Sequence, residues 1–584
     1  MNASVYSKEA VRAKRRFVPE SLVVDTWPEL ENLFHSLLER KPTTSEEFDH
    51  WLTDISELEC VLSEDVAWRY IRMTCDTSNK AYREAFDHYL QNIQPHLAKV
   101  SDALNKSIAA SAFAQEPKDE AQRIFLRKLR ADISLFREEN IALHTEMAKL
   151  QRNYGEIQGA MTIEHEEQVL TMPQAADLLQ SHDRGVREAI FYKMVNRRLQ
   201  DSATLNELLS QLIALRHQIA QNAGLPSFAE YKFIALGRFD YTKDDCHTFH
   251  HAVKEHVVPM LNMLAESRSV NLRVDHLRPW DTVVDFLGTS ILRPFTDAAD
   301  LFEKTKTVFA KVDPFFAECL QVLEDLEQID LSSRVGKAPG GYNYPLMESG
   351  APFIFMNATS NLRDMVTLLH EGGHAVHSLL TKDLSLAAYK ELPSEIAELA
   401  SMGMELLTMD YWDTYFSDVQ ELNRAKYRHL EQIIQTLPWV ATIDKFQHWM
   451  YEHPFHTETE RKLVWSAIFE EFTDSVVDYS GLEHYKYELW QKQLHIYEVP
   501  FYYIEYGIAQ LGAVALWKNY RKDPVETLSA FKHALSLGNT RTLPELYKAA
   551  GIRFNMSGEY IAELMHFVYK EMLSLDVQMP VKKL

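Results

Sequence analysis

Apolar residues recur along most of the chain at the three- and four-residue spacing that puts them on one face of an α-helix. In DTWPELENLFHSLLER the stripe is Leu30, Leu33, Phe34, Leu37 and Leu38. Thr26 and Glu29 stand three apart at its start, as a capping box requires, and Pro28 suits a first turn. LNELLSQLIALRHQI repeats the pattern with Leu205, Leu208, Leu209 and Leu212, and similar stripes run through 82–108, 122–152, 296–327, 421–437 and 556–575. Alternating, strand-like stretches are few. The clearest break in helical character is RVGKAPGGYNYPLMESGAPFIFMN, from Arg334 to Asn357, where Gly and Pro mark loops and PFIFMN is short and aromatic enough for a strand. The pattern predicts a mainly α protein with a small β component. Near Gln200-Asp201-Ser202 a charged region gives way to a fresh amphipathic helix, which predicts an N-terminal helical domain over 1–200 and a second domain over 201–584. The chain shows no internal repeat, which argues against a helical solenoid.

Composition narrows the function classes. A chain of 584 residues can bury a large core. Its 84 acidic against 61 basic side chains give a net charge of −23, which disfavours nucleic acid or an anionic membrane as partner. Cys60, Cys75, Cys246 and Cys319 form no C-x-x-C pair, so a reducing, cytoplasmic setting is expected. The N-terminal MNASVYSKEAVRAKRRFVPES is basic without an apolar core, and reads as a solvated arm rather than a secretory signal. No apolar run approaches the ~20 residues that span a bilayer.

The candidate chemistry lies in LLHEGGHAVHSLL, residues 368–380. Two adjacent glycines interrupt an apolar helical stretch, each at a cost of about 1 kcal/mol relative to alanine. His370-Glu371-Gly372-Gly373-His374 is an H-E-x-x-H match. On a helix, side chains at i and i+4 lie one above the other, so two imidazoles can converge on one zinc ion. Glu371 sits where it reaches a water on that metal rather than the metal itself. Ser360 or Asn361 would cap the helix. A catalytic zinc needs a third protein ligand, and LPSEIAELASMGMELL offers Glu395, Glu398 and Glu405 on one face. Spacing does not choose between Glu395 and Glu398. CHTFHHAVKEH places His247 and His251 at i and i+4 without a neighbouring glutamate, and reads as a solvated face. EHPFHTETER, with His453 and His456, reads as a loop leading into a helix.

HEGGHAVH followed by ELPSEIAELAS resembles the thimet oligopeptidase and oligoendopeptidase F family of zinc peptidases, which pairs H-E-x-G-H with a downstream glutamate in a P-S-x-x-x-E setting. The resemblance implies His370, His374 and Glu398 as ligands of one Zn²⁺ per chain, with Glu371 as general base. GKAPGGYNYPLMESGAPFIFMN is similar to the family's Gly-Gly-Tyr loop and the edge strand that pairs with substrate backbone, which implies substrate contacts at Gly340, Gly341 and Tyr342. HIYEVPFYYIEYGIAQLG is similar to the tyrosine-rich segment of the oligoendopeptidase F branch. His495, Tyr497, Tyr502, Tyr503 and Tyr506 supply neutral donors there, suited to an oxygen that gains negative charge in the transition state. By resemblance His495, Tyr503 and Tyr506 take that catalytic role, and Tyr502 contacts substrate. The implied fold is zincin-type and neurolysin-like: two-lobed, helical, with a deep substrate channel and a small β-sheet near the zinc. The implied function is a zinc endopeptidase that hydrolyses internal bonds of short oligopeptides. Two alternatives stand beside it. One is a zinc exopeptidase on a related helical fold, acting as a dipeptidyl- or carboxypeptidase. The other is a non-catalytic helical binding protein that keeps the zinc site for stability.

Overall fold

The computed structural model describes residues 14–287 and 291–577, so the first thirteen residues of the basic arm lie outside the described residues. The predicted stripes are helices. Trp27–Leu38 carries the expected capping box, with the Thr26 amide donating to Glu29 Oε2 at 3.1 Å, and buries Leu30, Phe34 and Leu37. The regions 82–108 and 296–327 each divide into two helices, Lys80–Asn92 with Gln94–Ala110 and Ala298–Val312 with Pro314–Asp325. Pro95 and Pro314 fall in the first turn of the second helix of each pair, the one helical position where a missing amide proton costs nothing.

The chain folds into two compact units. One draws on residues up to Phe136, Leu292–Leu422 and Gly512–Phe554; the other draws on Arg137–Ile291, Asn423–Leu511 and residues from Asn555 on. The predicted boundary at 200/201 falls inside the second unit, between the helices Arg184–Gln200 and Ser202–Asn222.

In the first unit, the helix Ser45–Cys75 buries Phe48, Trp51, Leu52 and Ile55 against Leu30, Phe34 and Leu37. The described part of the basic N-terminal segment is anchored here rather than solvated. Arg15 makes a two-pronged ion pair with Glu348 at 2.6 and 3.0 Å, and the Glu57 carboxylate accepts the amides of Arg16, Phe17 and Val18 at 2.9, 2.9 and 2.7 Å. The three-stranded sheet of this unit corrects a second expectation. Phe353–Ala358 is its central strand, parallel to Ile329–Ser332 and antiparallel to Tyr342–Tyr344, with Tyr342 opposite Phe355. Phe353 to Met356 are all buried, the continuous apolar run of an interior strand. The strand expected to offer its edge to substrate is therefore paired on both sides, and Tyr342–Tyr344 forms an edge instead. The Lys337 ammonium ties the parallel pair together. It donates to the Asp330, Ser332 and Met356 carbonyls at 2.9, 3.0 and 2.6 Å, and to Asp330 Oδ1 at 2.8 Å.

The second unit is helical apart from the hairpin Thr162–His165/Gln168–Thr171. Most of the long helix Val419–Glu452 belongs to it. Two buried arginines fix the tyrosine-rich segment. Arg216 donates to Tyr451 Oη at 2.7 Å and to the Ile496 and Tyr497 carbonyls; Arg238 donates to the Phe501 carbonyl and to Glu505 Oε1, the latter at 2.7 Å. No described helix is long and apolar enough to cross a membrane.

Candidate active site

The helix Leu362–Thr381 carries the H-E-x-x-H residues, and Asn361 caps it by accepting the Asp364 amide at 2.9 Å. It packs along Ser394–Leu407, which carries the three glutamates. Gly373 faces that second helix so closely that a Cβ would sit 2.6 Å from both the Ala400 oxygen and Ser401 Cα. Gly372 faces the other way, where a Cβ would meet the Phe309 ring at 2.6 Å. One glycine lets two backbones touch, and its neighbour lets in an aromatic ring. That contact geometry accounts for both helix penalties.

The close approach brings three metal-ligating groups together. Ligand atoms of His370, His374 and Glu398 all lie within 4.8 Å of one another. His370 Nε2 stands 3.4 Å, and His374 Nε2 3.9 Å, from Glu398 Oε2. Ligands about 2.0–2.1 Å from a tetrahedral ion are separated by roughly 3.3 Å, so this spacing fits one zinc-sized cation with little rearrangement. The side chains of His370 and His374 retain 21% and 20% of their exposure, which leaves one side of the group open. Glu395 is buried but is not among the three, and His377, one turn beyond His374, is buried away from them.

Glu405, left without a role by the sequence, receives one from the structure. Its Oε1 lies 2.7 Å from His370 Nδ1, which orients the ring and keeps Nε2 towards Glu398 and His374. Burial lowers the affinity of His370 for a proton, but Glu398 and Glu405 together outweigh it and hold the imidazole well above its usual range. Two carboxylates that favour a proton there favour a divalent cation equally. Burial takes His374 down to about 4, which leaves a neutral imidazole with a lone pair to give. Burial pushes Glu371 up to about 7, against the pull of His370, a value suited to exchanging a proton near neutrality. Its backbone oxygen accepts from Asn343 Nδ2 at 3.2 Å, linking the motif helix to the edge strand.

The Gly-Gly-Tyr residues are held by packing. Gly340 has φ +100°, and its carbonyl accepts from Asn357 Nδ2 at 2.9 Å. A Cβ on Gly341 would press on the Phe355 carbonyl at 3.3 Å. Tyr342 commits its hydroxyl to Thr74 at 2.6 Å and stacks its ring on Phe355 at 4.7 Å. In the second unit His495, Tyr502, Tyr503 and Tyr506 form one cluster. The Tyr503 ring is 4.7 Å from His495, and Tyr506 Oη is 3.5 Å from His495 Nε2. Gln493 lies 2.6 Å from His495 Nδ1, and burial pushes the Tyr503 phenol up to about 12, so it stays a neutral donor. Tyr497 turns away from this group into the core, donating to the Leu205 carbonyl at 3.2 Å and stacking on Tyr154.

Residues 177–566 match peptidase family M3, and residues 19–136 match the peptidase M3 N-terminal domain. The chain belongs to peptidase family M3. Among M3 relatives, an oligoendopeptidase F homolog of Lactococcus lactis (strain IL1403) is 21% identical over 385 residues, 66% of this chain; the chain spans 62% of that relative's length. Oligopeptidase PepF of Bacillus subtilis (strain 168) is 23% identical over 401 residues, 66% of this chain and 57% of the relative. The solved structure of PZ peptidase A with inhibitor 2 superposes with a TM-score of 0.88 at 26% identity, covering 94% of this chain and 97% of that one. Oligoendopeptidase-F from Enterococcus faecium shares the fold, with a TM-score of 0.62 at 18% identity over 94% of each chain. The predicted mainly helical fold with small sheets is thereby established, and the family implies a metal.

Proposed function

We propose that this chain is a zinc-dependent oligoendopeptidase that hydrolyses internal bonds of short peptides in the cytoplasm. The observation that carries the proposal is the convergence of His370, His374 and Glu398 on one cation-sized space, with Glu371 next in sequence to the first. His370, His374 and Glu398 would hold the ion, and Glu405 would fix the His370 ring through Nδ1. When bound, zinc supplies a Lewis acid that lowers the pKa of water and polarises a carbonyl. Glu371 takes the proton of the attacking water and returns it to the leaving amine, a task suited to a buried carboxylate next in sequence to a proposed ligand. His495, Tyr503 and Tyr506 donate to the oxygen that gains charge, a role drawn from their cluster of neutral donors. The side of Tyr342–Tyr344 that no described strand pairs is where an extended peptide backbone would add to the sheet, and Gly340, Gly341, Tyr342 and Tyr502 would contact the substrate. In this reading the catalytic chemistry belongs to residues within 201–584.

Two internally quenched peptides of one sequence test the substrate class, one blocked at both ends and one with free termini. The proposal expects comparable cleavage of both at an internal bond. Cleavage of the unblocked peptide alone would make the enzyme an exopeptidase and overturn the proposal.

A further inference from the structure

A second group of metal-ligating side chains lies in the second unit, on residues the proposed chemistry does not use. The helix Lys243–His256 presents Cys246 and His250 at i and i+4, and Val419–Glu452 presents Asp444 and His448 at the same spacing. Both pairs face inward. Cys246 and Asp444 are fully buried, and His250 and His448 are 4% and 2% exposed. The sequence drew attention to His247 and His251 on the first helix, and those do face solvent; the residues one position earlier in each case face the core. Ligand atoms of Cys246, Asp444 and His448 lie within 4.8 Å of one another.

The hydrogen bonding around this group is incomplete in a particular way. Asp444 spends Oδ2 on His250 Nε2, at 2.9 Å, while Oδ1 has no hydrogen-bond partner among the described residues. Neither ring nitrogen of His448 makes a hydrogen bond among the described residues, although Nε2 stands 3.4 Å from Asp444 Oδ2. Three buried polar atoms on two neighbouring side chains, Asp444 Oδ1 and the two ring nitrogens of His448, thus go without a hydrogen bond among the described residues, which a folded core does not leave without cost. The walls are aromatic: Phe233 and Phe501 pack on His448, and Phe472 on His250. Within 4.0 Å the charge partners of Asp444 are the two imidazoles, with neither a lysine nor an arginine among them.

We propose that Cys246, Asp444 and His448 bind a second divalent transition metal, zinc by ligand type, as a structural clamp between these two helices. A thiolate, an imidazole and a carboxylate are a borderline-soft donor set suited to zinc, and the two negative ligands balance a 2+ ion in an apolar site. His250 acts outside the ligand set, orienting Asp444 through Oδ2 and leaving Oδ1 to the ion. The exposed His247 ring, with its centroid 5.5 Å from that of His448 and 5.8 Å from that of His250, is the nearest imidazole through which an ion would reach the site in this proposal.

The thiolate makes the site separable from the one in the M3 motif, which has no sulfur ligand. The test loads full-length His370→Ala/His374→Ala protein, stripped of metal, with Co²⁺ and reads both bound metal and the near-ultraviolet thiolate-to-cobalt charge-transfer band. The expected result is one equivalent of cobalt with that band present, and loss of the band on adding Cys246→Ser. Because the first reading leaves the second unit unaltered, absence of cobalt or of the band overturns the proposal even if Cys246→Ser fails to fold. Absence of bound cobalt, binding without the band, or a band that survives Cys246→Ser would each overturn the proposal. Zinc added to the same stripped protein should raise its melting temperature; an unchanged melt would deny the ion its clamping role.

Discussion

Glu405 and Gly373 in the first unit shape the proposed metal site without belonging to its ligand set. Glu405 holds the His370 ring, so Glu405→Ala should weaken zinc affinity roughly 10–100-fold, read by competition against a chelator, whereas Glu405→Gln, which keeps an acceptor oxygen, should lose less. Equal affinities in all three proteins would remove Glu405 from the account. The two glycines differ in what opposes a side chain. At Gly373 the obstacle is the backbone at Ala400 and Ser401, which cannot give without separating the two ligand-bearing helices. At Gly372 it is the Phe309 ring, which can turn. Gly373→Ala should therefore lower both the melting temperature and zinc retention. Gly372→Ala should cost less, and Gly372→Leu should destabilise by about 1–3 kcal/mol through overpacking. Melting curves with metal analysis check the order; zinc retention unchanged in Gly373→Ala would contradict it. The sequence identified H-E-x-x-H because that spacing is itself chemical. Spacing alone left Glu395 and Glu398 open, and the resemblance named Glu398, because helix rotation, set by where Gly373 meets the backbone, decides which glutamate reaches the histidines.

Secondary elements were readable where hydrophobic periodicity was long. The stripes at Leu30–Leu38 and Leu205–Leu212 became helices; the second buries all four predicted leucines, and the first buries Leu30, Phe34 and Leu37 with Leu33 and Leu38 half-buried. The sheet was readable as a strand but not as an order of strands. An apolar run such as PFIFMN is compatible with an edge or an interior position, and only the partner Ile329–Ser332, some twenty residues earlier, makes it interior. The described N-terminal residues were misread for a similar reason, since a carboxylate at Glu57 that captures three amides leaves no mark in the local pattern. The sheet also carries a pH dependence. Asp330 is held down at about 2: burial opposes this, but Arg334 and Lys337 prevail. A folded-state pKa below the unfolded value of ~3.9 contributes stability that is complete above the latter and lost as pH falls through the former, about 1–2 kcal/mol once solvent screening of the half-exposed ion pair is allowed for. The melting-temperature gap between wild type and Asp330→Asn should thus close between pH about 4 and 2. A gap that stays constant over that interval would show the ion pair to be energetically idle.

At the scale of the molecule, the interleaved units explain why a domain boundary drawn along the sequence near residue 200 did not coincide with a structural one: each unit gathers segments from three separate parts of the chain. Segments such as 292–422, which hold all three proposed zinc ligands, the base and the orienting Glu405, remain contiguous, and that contiguity is what made the metal chemistry readable. The buried group at Cys246, Asp444 and His448 is split across about 200 residues and carries no motif, so nothing in the sequence pointed to it. On the proposal made above, Glu371 is the base of a metal-dependent peptide hydrolysis. The most direct test of that role compares wild type with Glu371→Gln on a doubly blocked quenched peptide, with zinc measured on the same samples. A positioned general base contributes on the order of 10²–10⁴-fold, so kcat/KM should fall at least about 100-fold while the zinc bound at His370, His374 and Glu398 is retained. Cleavage at the same rate in both proteins, with metal content unchanged, would contradict the account.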